Sequence, residues 1–213
     1  MPSFEELRKE YSKATLDIKT VSPMPITQFE SWFNEALASE IPEPNAMNLA
    51  TVSQSGRPSS RIVLLKGIEN NRFVFYSNYQ SHKGKELEEN PWCALTFFWP
   101  ELERQVRIEG IVERTSEEKS TAYFQSRPVA SQIGAWASPQ SVVIADRSLL
   151  EKRMKDLEKK FEGHTSLPKP KQWGGFMVEP VMIEFWQGRR SRLHDRIVYT
   201  KQDSNWKISR LAP

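Results

Sequence analysis

The sequence has little cysteine, glycine or histidine: among 213 residues there are 1 cysteine, 9 glycines and 3 histidines. The single thiol, Cys93, excludes an internal disulfide framework and any cysteine-based zinc cluster. Within WCALTFFW it reads as a small buried hydrophobe. A reducing, cytoplasmic setting is the matching expectation. His82, His164 and His194 show neither HxxxH nor HExxH spacing, so no metal centre is expected. The glycines form neither GxGxxG nor GxxxxGK[ST], so any phosphate must be held by side chains. No GxSxG elbow marks a nucleophilic serine. Long apolar runs are missing too. The tightest, 62–65 and 142–145, are strand-sized, against the roughly 20 residues of a membrane helix. The opening MPSFEELRKEY carries acids where a signal peptide would be apolar. Charge of one sign is also lacking, since 30 Lys and Arg against 27 Asp and Glu leave +3. That is a weak footprint for nucleic acid, and no membrane partner is expected either.

What is present is aromatic: 7 Trp, 11 Phe and 5 Tyr are ample anchors for a folded core. A short polar helix is expected over 3–15. A second is expected from a capping box at Thr27 and Glu30, with Phe29, Trp32, Phe33, Ala36 and Leu37 as its stripe. Strands are expected over 46–53 and 58–68 around the turn Gln54-Ser55-Gly56-Arg57, then over 72–77 after Asn70-Asn71. A helix over 81–89 leads to strands over 92–99 and 104–115, the latter alternating Val106, Ile108, Gly110 and Val112 with polar residues. Helices over 116–134 and 146–162 follow; the second has Leu149, Leu150, Met154, Leu157 and Phe161 facing inward. LPKPKQ reads as an extended linker, and strands return over 173–178, 182–187, 195–200 and 205–210. The pattern describes an antiparallel β-barrel with peripheral helices in one domain.

Three basic clusters are candidate anion sites. Arg61 and Lys66 bracket four apolar residues of an expected buried strand, placing their Cα atoms about 16–17 Å apart. That span suits two anions, although from spacing alone two solvated strand ends are the plainer reading. Alternation puts Arg192, His194 and Arg196 on one strand face, where their repulsion calls for an anionic ligand or for compensating carboxylates. Tyr123, Arg127 and Ser131 could form a phosphate cup or an ordinary helix terminus, with Pro128 disturbing the last turn. Trp186 is a core residue or the wall of a site for a flat ligand.

Taken in order, RIVLLKG at 61–67, FYSNYQSHKGKELEENP at 75–91 and FFWPELERQVRIEG at 97–110 form a longer signature. YFQSRPVASQIGAWASPQS at 123–141, WGGF at 173–176, EFWQGRRSRLHDR at 184–196 and the terminal RLAP continue it. Together they resemble the pyridoxine/pyridoxamine 5′-phosphate oxidase family across nearly the whole chain. The resemblance implies a mainly β fold with peripheral α, an antiparallel FMN-binding split β-barrel. It would be a single domain over 21–213 preceded by an arm over 1–20, working as a homodimer with two sites at the subunit interface.

The resemblance further implies that FMN is bound by Arg61, Ile62, Val63, Leu64, Leu65 and Lys66, by Tyr76 and Ser77, and by His82 and Lys83. Gln105, Gln140, Ser141, Trp186 and Arg196 complete that set, some of them donated by the second subunit. Lys66, Tyr123, Arg127 and Ser131 would hold the substrate phosphate. Arg8, Lys9, Glu10 and Tyr11 would close over the substrate, with Arg192, Leu193 and His194 at its pyridine ring. Arg192 and His194 are the catalytic pair: Arg192 covers and orients the ring, and His194 is a polar contact for which a general-base role stays open. The implied activity oxidises pyridoxamine and pyridoxine 5′-phosphate to pyridoxal 5′-phosphate, in vitamin B6 biosynthesis or salvage. Hydride passes from substrate C4′ to flavin N5, and O₂ is reduced to hydrogen peroxide. His82 is a departure, because the family usually has Arg there. The alternatives are a split-barrel flavin enzyme acting on another substrate, such as a phenazine-type precursor, and a non-catalytic carrier of FMN or pyridoxal phosphate.

Overall fold

The computed structural model describes residues 3–7 and 10–213. After a 3₁₀ turn at Phe4–Glu6 come α1 (Pro25–Ala38), β1 (Ala46–Val52), β2 (Pro58–Leu64), β3 (Gly67–Glu69) and β4 (Arg72–Asn78). They lead to α2 (His82–Glu89), β5 (Trp92–Trp99), β6 (Arg104–Arg114), α3 (Glu117–Ser126), α4 (Val129–Ala137) and α5 (Ser148–Lys160). The chain ends with β7 (Trp173–Gln187), a 3₁₀ turn at Arg190–Arg192, β8 (Asp195–Gln202) and β9 (Asn205–Leu211). No helix among the described residues is long and apolar enough to cross a membrane.

The strands form one antiparallel sheet in the order β2-β1-β5-β6-β7-β4-β3, with β8 and β9 continuing from β7. β7 decides the architecture. It pairs with β6 over Phe176–Gln187, with β4 over Trp173–Val178 and with β8 over Met182–Gln187. The split falls at Glu179-Pro180, opposite Gly110, where the β6–β7 register shifts. Proline has no N–H to give a ladder, so the sheet changes neighbours there. The two strands expected over 173–178 and 182–187 are therefore one bent strand. Conversely, the strand expected over 58–68 is two, because the chain crosses between partners: Leu65 N–H donates to Asn45 O and Lys66 N–H to Val74 O, each at 2.8 Å.

Other boundaries moved for local reasons. α1 begins at Pro25 after Met24, with no side-chain cap, so the Thr27–Glu30 box is not used; proline at the first helical position sets φ and gives up only a donor that would be unpaired anyway. Arg127-Pro128 divides the helix expected over 116–134 into α3 and α4. Among the described residues, the helix expected over 3–15 is only the turn at Phe4–Glu6. The following arm is held in irregular form by carboxylates: Glu103 accepts Ser12 N–H at 2.7 Å and Lys13 N–H at 2.9 Å, and Asp195 accepts Leu16 N–H at 3.1 Å. α5 buries no residue completely, because it lies on α4 outside the barrel; Met154, Leu157 and Phe161 reach a satellite cluster around Phe124, Ile133, Leu167 and Trp173. β2 is not the buried strand expected, since its outer edge is open and Ile62 is 64% exposed.

α1 plugs the barrel. Its fully buried Phe29 meets Phe73 edge-on at 5.0 Å and Phe97 at 5.0 Å, while Trp32 meets Phe185 at 5.2 Å. Leu37, on the expected stripe, faces solvent at 53% exposure. Phe29→Ala is expected to destabilise the fold by about 3–5 kcal/mol. Leu37→Ala should change it by no more than about 0.5 kcal/mol. Urea midpoints of the two variants against the parent measure the difference.

Candidate functional site

Two cavities collect most of the candidate residues. The first, of about 580 Å³, lies between the β2–β3 junction, β4, the start of α2 and the α3–α4 corner. It brings together Arg61, Ile62, Val63, Leu64 and Lys66 with Tyr76, Ser77 and Lys83, and with Tyr123, Arg127, Ser131 and Gln140. The second, of about 790 Å³, lies over the turn after β7 and is lined by Glu10, Tyr11, Arg189, Ser191, Arg192 and His194, with Leu7. Arg8 and Lys9 fall outside the described residues. Leu65 turns to the core, Ser141 lies outside the lining of the first cavity, and Leu193 is exposed.

Four cations, Arg61, Lys66, Lys83 and Arg127, face the first cavity, and no Asp or Glu is among its lining residues. Ser81 caps α2 by accepting Gly84 N–H, which aims Lys83 inward. Lys83 Nζ donates to Ser77 Oγ at 3.0 Å and to Gln140 Oε1 at 3.0 Å. Burial, and secondarily the Arg61 charge, push the Lys83 ammonium down to about 8. Arg127 ends α3 rather than continuing it, yet it still reaches the cavity. Its guanidinium lies 4.8 Å from the Trp173 ring centre, and its Nη1 is buried without a hydrogen-bond partner. Burial lowers its pKa, partly offset by Tyr123. Tyr76, Tyr123 and Trp173 form a stack, with Tyr76 and Tyr123 centred 3.8 Å apart. A buried donor with no acceptor, in a cavity whose four cations meet no lining carboxylate, has the chemistry to take an anion.

The second cavity is shaped by the arm. Tyr11 packs edge-on to Trp186 at 5.7 Å and against His194 at 5.9 Å. Gly188 permits this, since a Cβ there would stand 2.7 Å from Tyr11. Arg192, His194 and Arg196 do not share the strand face that alternation predicted. β8 starts only at Asp195, and Ser191 and Arg192 take left-handed backbone at φ 55° and 60°, costing about 1–2 kcal/mol each. Arg189 clamps this turn: its guanidinium bonds Asp195 at 2.8 Å and its N–H donates to His194 Nδ1 at 3.1 Å. With Nδ1 accepting, neutral His194 carries its proton on Nε2; burial and then the Arg192 charge lower its pKa and favour that neutral form.

Gln105, Trp186 and Arg196 are direct cross-strand neighbours on β6, β7 and β8, away from the first cavity. Arg196 grips the buried Glu184 at 2.8 Å and 3.0 Å, with Arg107 on the same carboxylate at 3.2 Å. That ion pair is the compensation that keeps Arg196 from repelling its neighbours. His82 points away from the cavity, with Nε2 3.0 Å from Glu86 Oε1. Sequence reasoning missed Glu86, Glu184 and Arg189. The i,i+4 spacing of His82 and Glu86 was a usable signal for the first, and the alternation of Glu184 with Trp186 on one strand for the second.

Known proteins resemble this chain in sequence and in fold. The family described as "Pyridoxamine 5′-phosphate oxidase" matches residues 33–161, and a "Pyridoxine 5′-phosphate oxidase C-terminal dimerisation region" matches residues 173–213. The pyridoxine/pyridoxamine 5′-phosphate oxidase of Burkholderia thailandensis is 55% identical over 216 residues, covering all of both chains. That of Burkholderia mallei is 56% identical over the same span, again covering all of both chains. PhzG from Burkholderia lata, solved with tetrahydrophenazine-1-carboxylic acid, superposes with a TM-score of 0.89 at 29% identity, over 96% of this chain and 100% of that one. A pyridoxamine 5′-phosphate oxidase-related, FMN-binding protein of Nostoc punctiforme shares the fold at a TM-score of 0.72 and 20% identity, over 91% and 100% of the two chains.

Lys83 binds an anion only while protonated, so the first cavity should lose affinity as pH rises through about 8. Sulfate keeps a constant charge across this range and isolates the lysine. Its affinity is expected to fall about tenfold between pH 7 and 9, and Lys83→Met should flatten the profile. Calorimetric titration at fixed ionic strength gives the measurement.

Proposed function

The chain belongs to the pyridoxamine 5′-phosphate oxidase family, and from that membership we propose an FMN-dependent oxidase that converts pyridoxamine 5′-phosphate and pyridoxine 5′-phosphate to pyridoxal 5′-phosphate. The active unit in this reading is a homodimer in which the first cavity of one copy meets the Gln105–Trp186–Arg196 row and the second cavity of the other. The observation that carries it is the first cavity: four cations face it, no carboxylate does, and the buried Arg127 Nη1 has no acceptor. FMN and a phosphorylated substrate fit this chemistry, because each brings the dianion that the donors lack.

In this reading Arg61, Lys83 and the Ser77 hydroxyl hold the flavin phosphate, and Gln140 fixes the lysine. Lys66, Tyr123, Arg127 and Ser131 hold the substrate phosphate from the adjoining wall. FMN, when bound, supplies a two-electron acceptor that O₂ can reoxidise. The protein's share is placement. Arg192, fixed in its left-handed turn, covers the pyridine ring. His194 presents Nε2–H as a donor; with Nδ1 occupied and its neutral form favoured, it orients rather than removes a proton. Tyr11 covers Trp186 and His194 and limits water at that face.

A second reading, a flavin enzyme for another aromatic acid, draws on the likeness to PhzG. The Lys66, Tyr123, Arg127 and Ser131 wall weighs against it, since four donors suit a phosphate dianion better than one carboxylate. The deciding experiment exposes the purified yellow protein to pyridoxamine 5′-phosphate. Bleaching of the flavin without oxygen, then aldehyde and peroxide in air, is the expected result. A flavin spectrum indifferent to that substrate favours the carrier, and turnover confined to tetrahydrophenazine-1-carboxylic acid favours the second reading. Arg192→Ala should lower kcat by at least about tenfold with flavin retained; unchanged turnover would remove Arg192 from its role.

A further inference from the structure

His82 stands at the first position of α2, one residue before the cavity-facing Lys83, yet it does not line the cavity. Its side chain is 66% exposed and turns back along the helix to Glu86. Glu86 is buried, and its two oxygens are used differently. Oε2 accepts the Thr51 hydroxyl at 2.6 Å, the Ser59 hydroxyl at 2.7 Å and Arg61 Nη2 at 3.3 Å. Oε1 is held by His82 Nε2 at 3.0 Å. Thr51 and Ser59 also accept from Arg61 itself, so one hydroxyl pair bridges carboxylate and guanidinium. The helix is fixed against the strand layer: a Cβ on Gly84 would lie 2.2 Å from Tyr79 O, so the first turn of α2 sits hard on the chain before it.

Arg61 is thus divided between Glu86 behind it and the cavity in front. Any partner that occupies Glu86 from behind leaves more of the guanidinium's charge and donors for an anion in front. We propose that His82 is a positioning residue that tunes flavin phosphate binding through Glu86 and Arg61, without touching the phosphate. The inference rests on the reading of the first cavity as the FMN site. It assigns His82 a role different from that of a direct ligand in the flavin set, and it brings Glu86 into the site's chemistry. The burial of Glu86 raises its pKa, but Thr51, Ser59, His82 and Arg61 together outweigh this and keep it ionised, as the relay requires.

A double-mutant cycle on FMN affinity tests it, read by quenching of flavin fluorescence on apoprotein. His82→Ala is expected to weaken FMN binding about three- to fivefold, the scale of one partly exposed side-chain hydrogen bond. His82→Gln, which can still donate to Glu86, should recover most of that loss. In a Glu86→Gln background His82→Ala should change affinity by less than about twofold. Equal losses in both backgrounds would mean direct contact and overturn the proposal, as would no loss in the native background. If Glu86→Gln does not fold, the wild-type chain still decides: the His82 ring ¹⁵N shifts should barely move on adding FMN, and a large movement marks phosphate contact and overturns the relay. A folded wild-type chain that binds no FMN fails the cofactor reading itself, and this inference with it.

Discussion

One strand serving three neighbours sets the plan of this molecule. β7 is held by β6 from Phe176 onward, by β4 over its first half and by β8 over its second, and the exchange occurs at Pro180. Trp173, at its start, closes the first cavity; Trp186, near its end, stands beside the second. The two are 186 − 173 = 13 residues apart on one strand, a separation of about 43 Å before the bend is allowed for. A strand can flex by degrees but cannot bring its own ends together. The candidate residues therefore fall into two groups as a consequence of the fold, and in the proposed dimer each chain would lend one group to each of two sites.

Each group then faces the same electrostatic problem: cations must stay close together without being neutralised by the protein. The solution is carboxylates placed behind the arginines; only in the second cavity does one, Glu10 of the arm, also line the space. Glu86 backs Arg61, Glu184 backs Arg196, and Asp195 backs Arg189 and Arg210. Buried pairs of this kind add little net stability, because desolvation cancels most of the attraction. What they give is orientation. A guanidinium held at one edge by a carboxylate presents its other edge in a fixed direction, while a carboxylate inside the cavity would compete with the ligand. Lys83 and Arg127 have no such backing. They carry the depressed pKa values, and Arg127 keeps an unpartnered buried nitrogen.

Much of this was legible in the sequence. Strand alternation placed β5 and β6 almost residue for residue, and Ser81 and Asn70-Asn71 marked a helix start and a turn that the structure keeps. The errors have a common cause, which is that local pattern competes with pairing partners the pattern does not contain. The run from Arg61 to Lys66 is uniform in composition, but its backbone must bond to Asn45 and then to Val74, so the strand breaks. Period-two reading put Arg192, His194 and Arg196 on one face, and the left-handed Ser191 and Arg192 cancel that period before the strand begins. The irregular course of the arm was not legible because its anchors are backbone N–H groups on distant Glu103 and Asp195, and no side-chain pattern records them. The contribution of Glu86 was hidden for a similar reason, as its partners come from β1, β2 and α2.

The surface of the single chain shows what the two groups ask for. Phe98 sits opposite Gln105, Gln105 opposite Trp186 and Trp186 opposite Arg196, so one row crosses four strands on the outward face. Phe98 remains 53% exposed at one end of that row. Ile62, on the rim of the first cavity, is as open to water. Apolar groups left exposed at the edge of a charged site cost hydrophobic free energy, on the order of 25 cal/mol for each Å² that burial would remove from water. They also leave the cavity wet, which weakens every interaction its cations can make. In the proposed dimer both costs fall together: the row of one copy covers the rim of the other, excludes water and brings Trp186 and Arg196 to the cations that β7 keeps out of their reach within one chain. Dimerisation would on this view be the step that lowers the dielectric around Lys83 and Arg127, and so the step that gives their charges their strength.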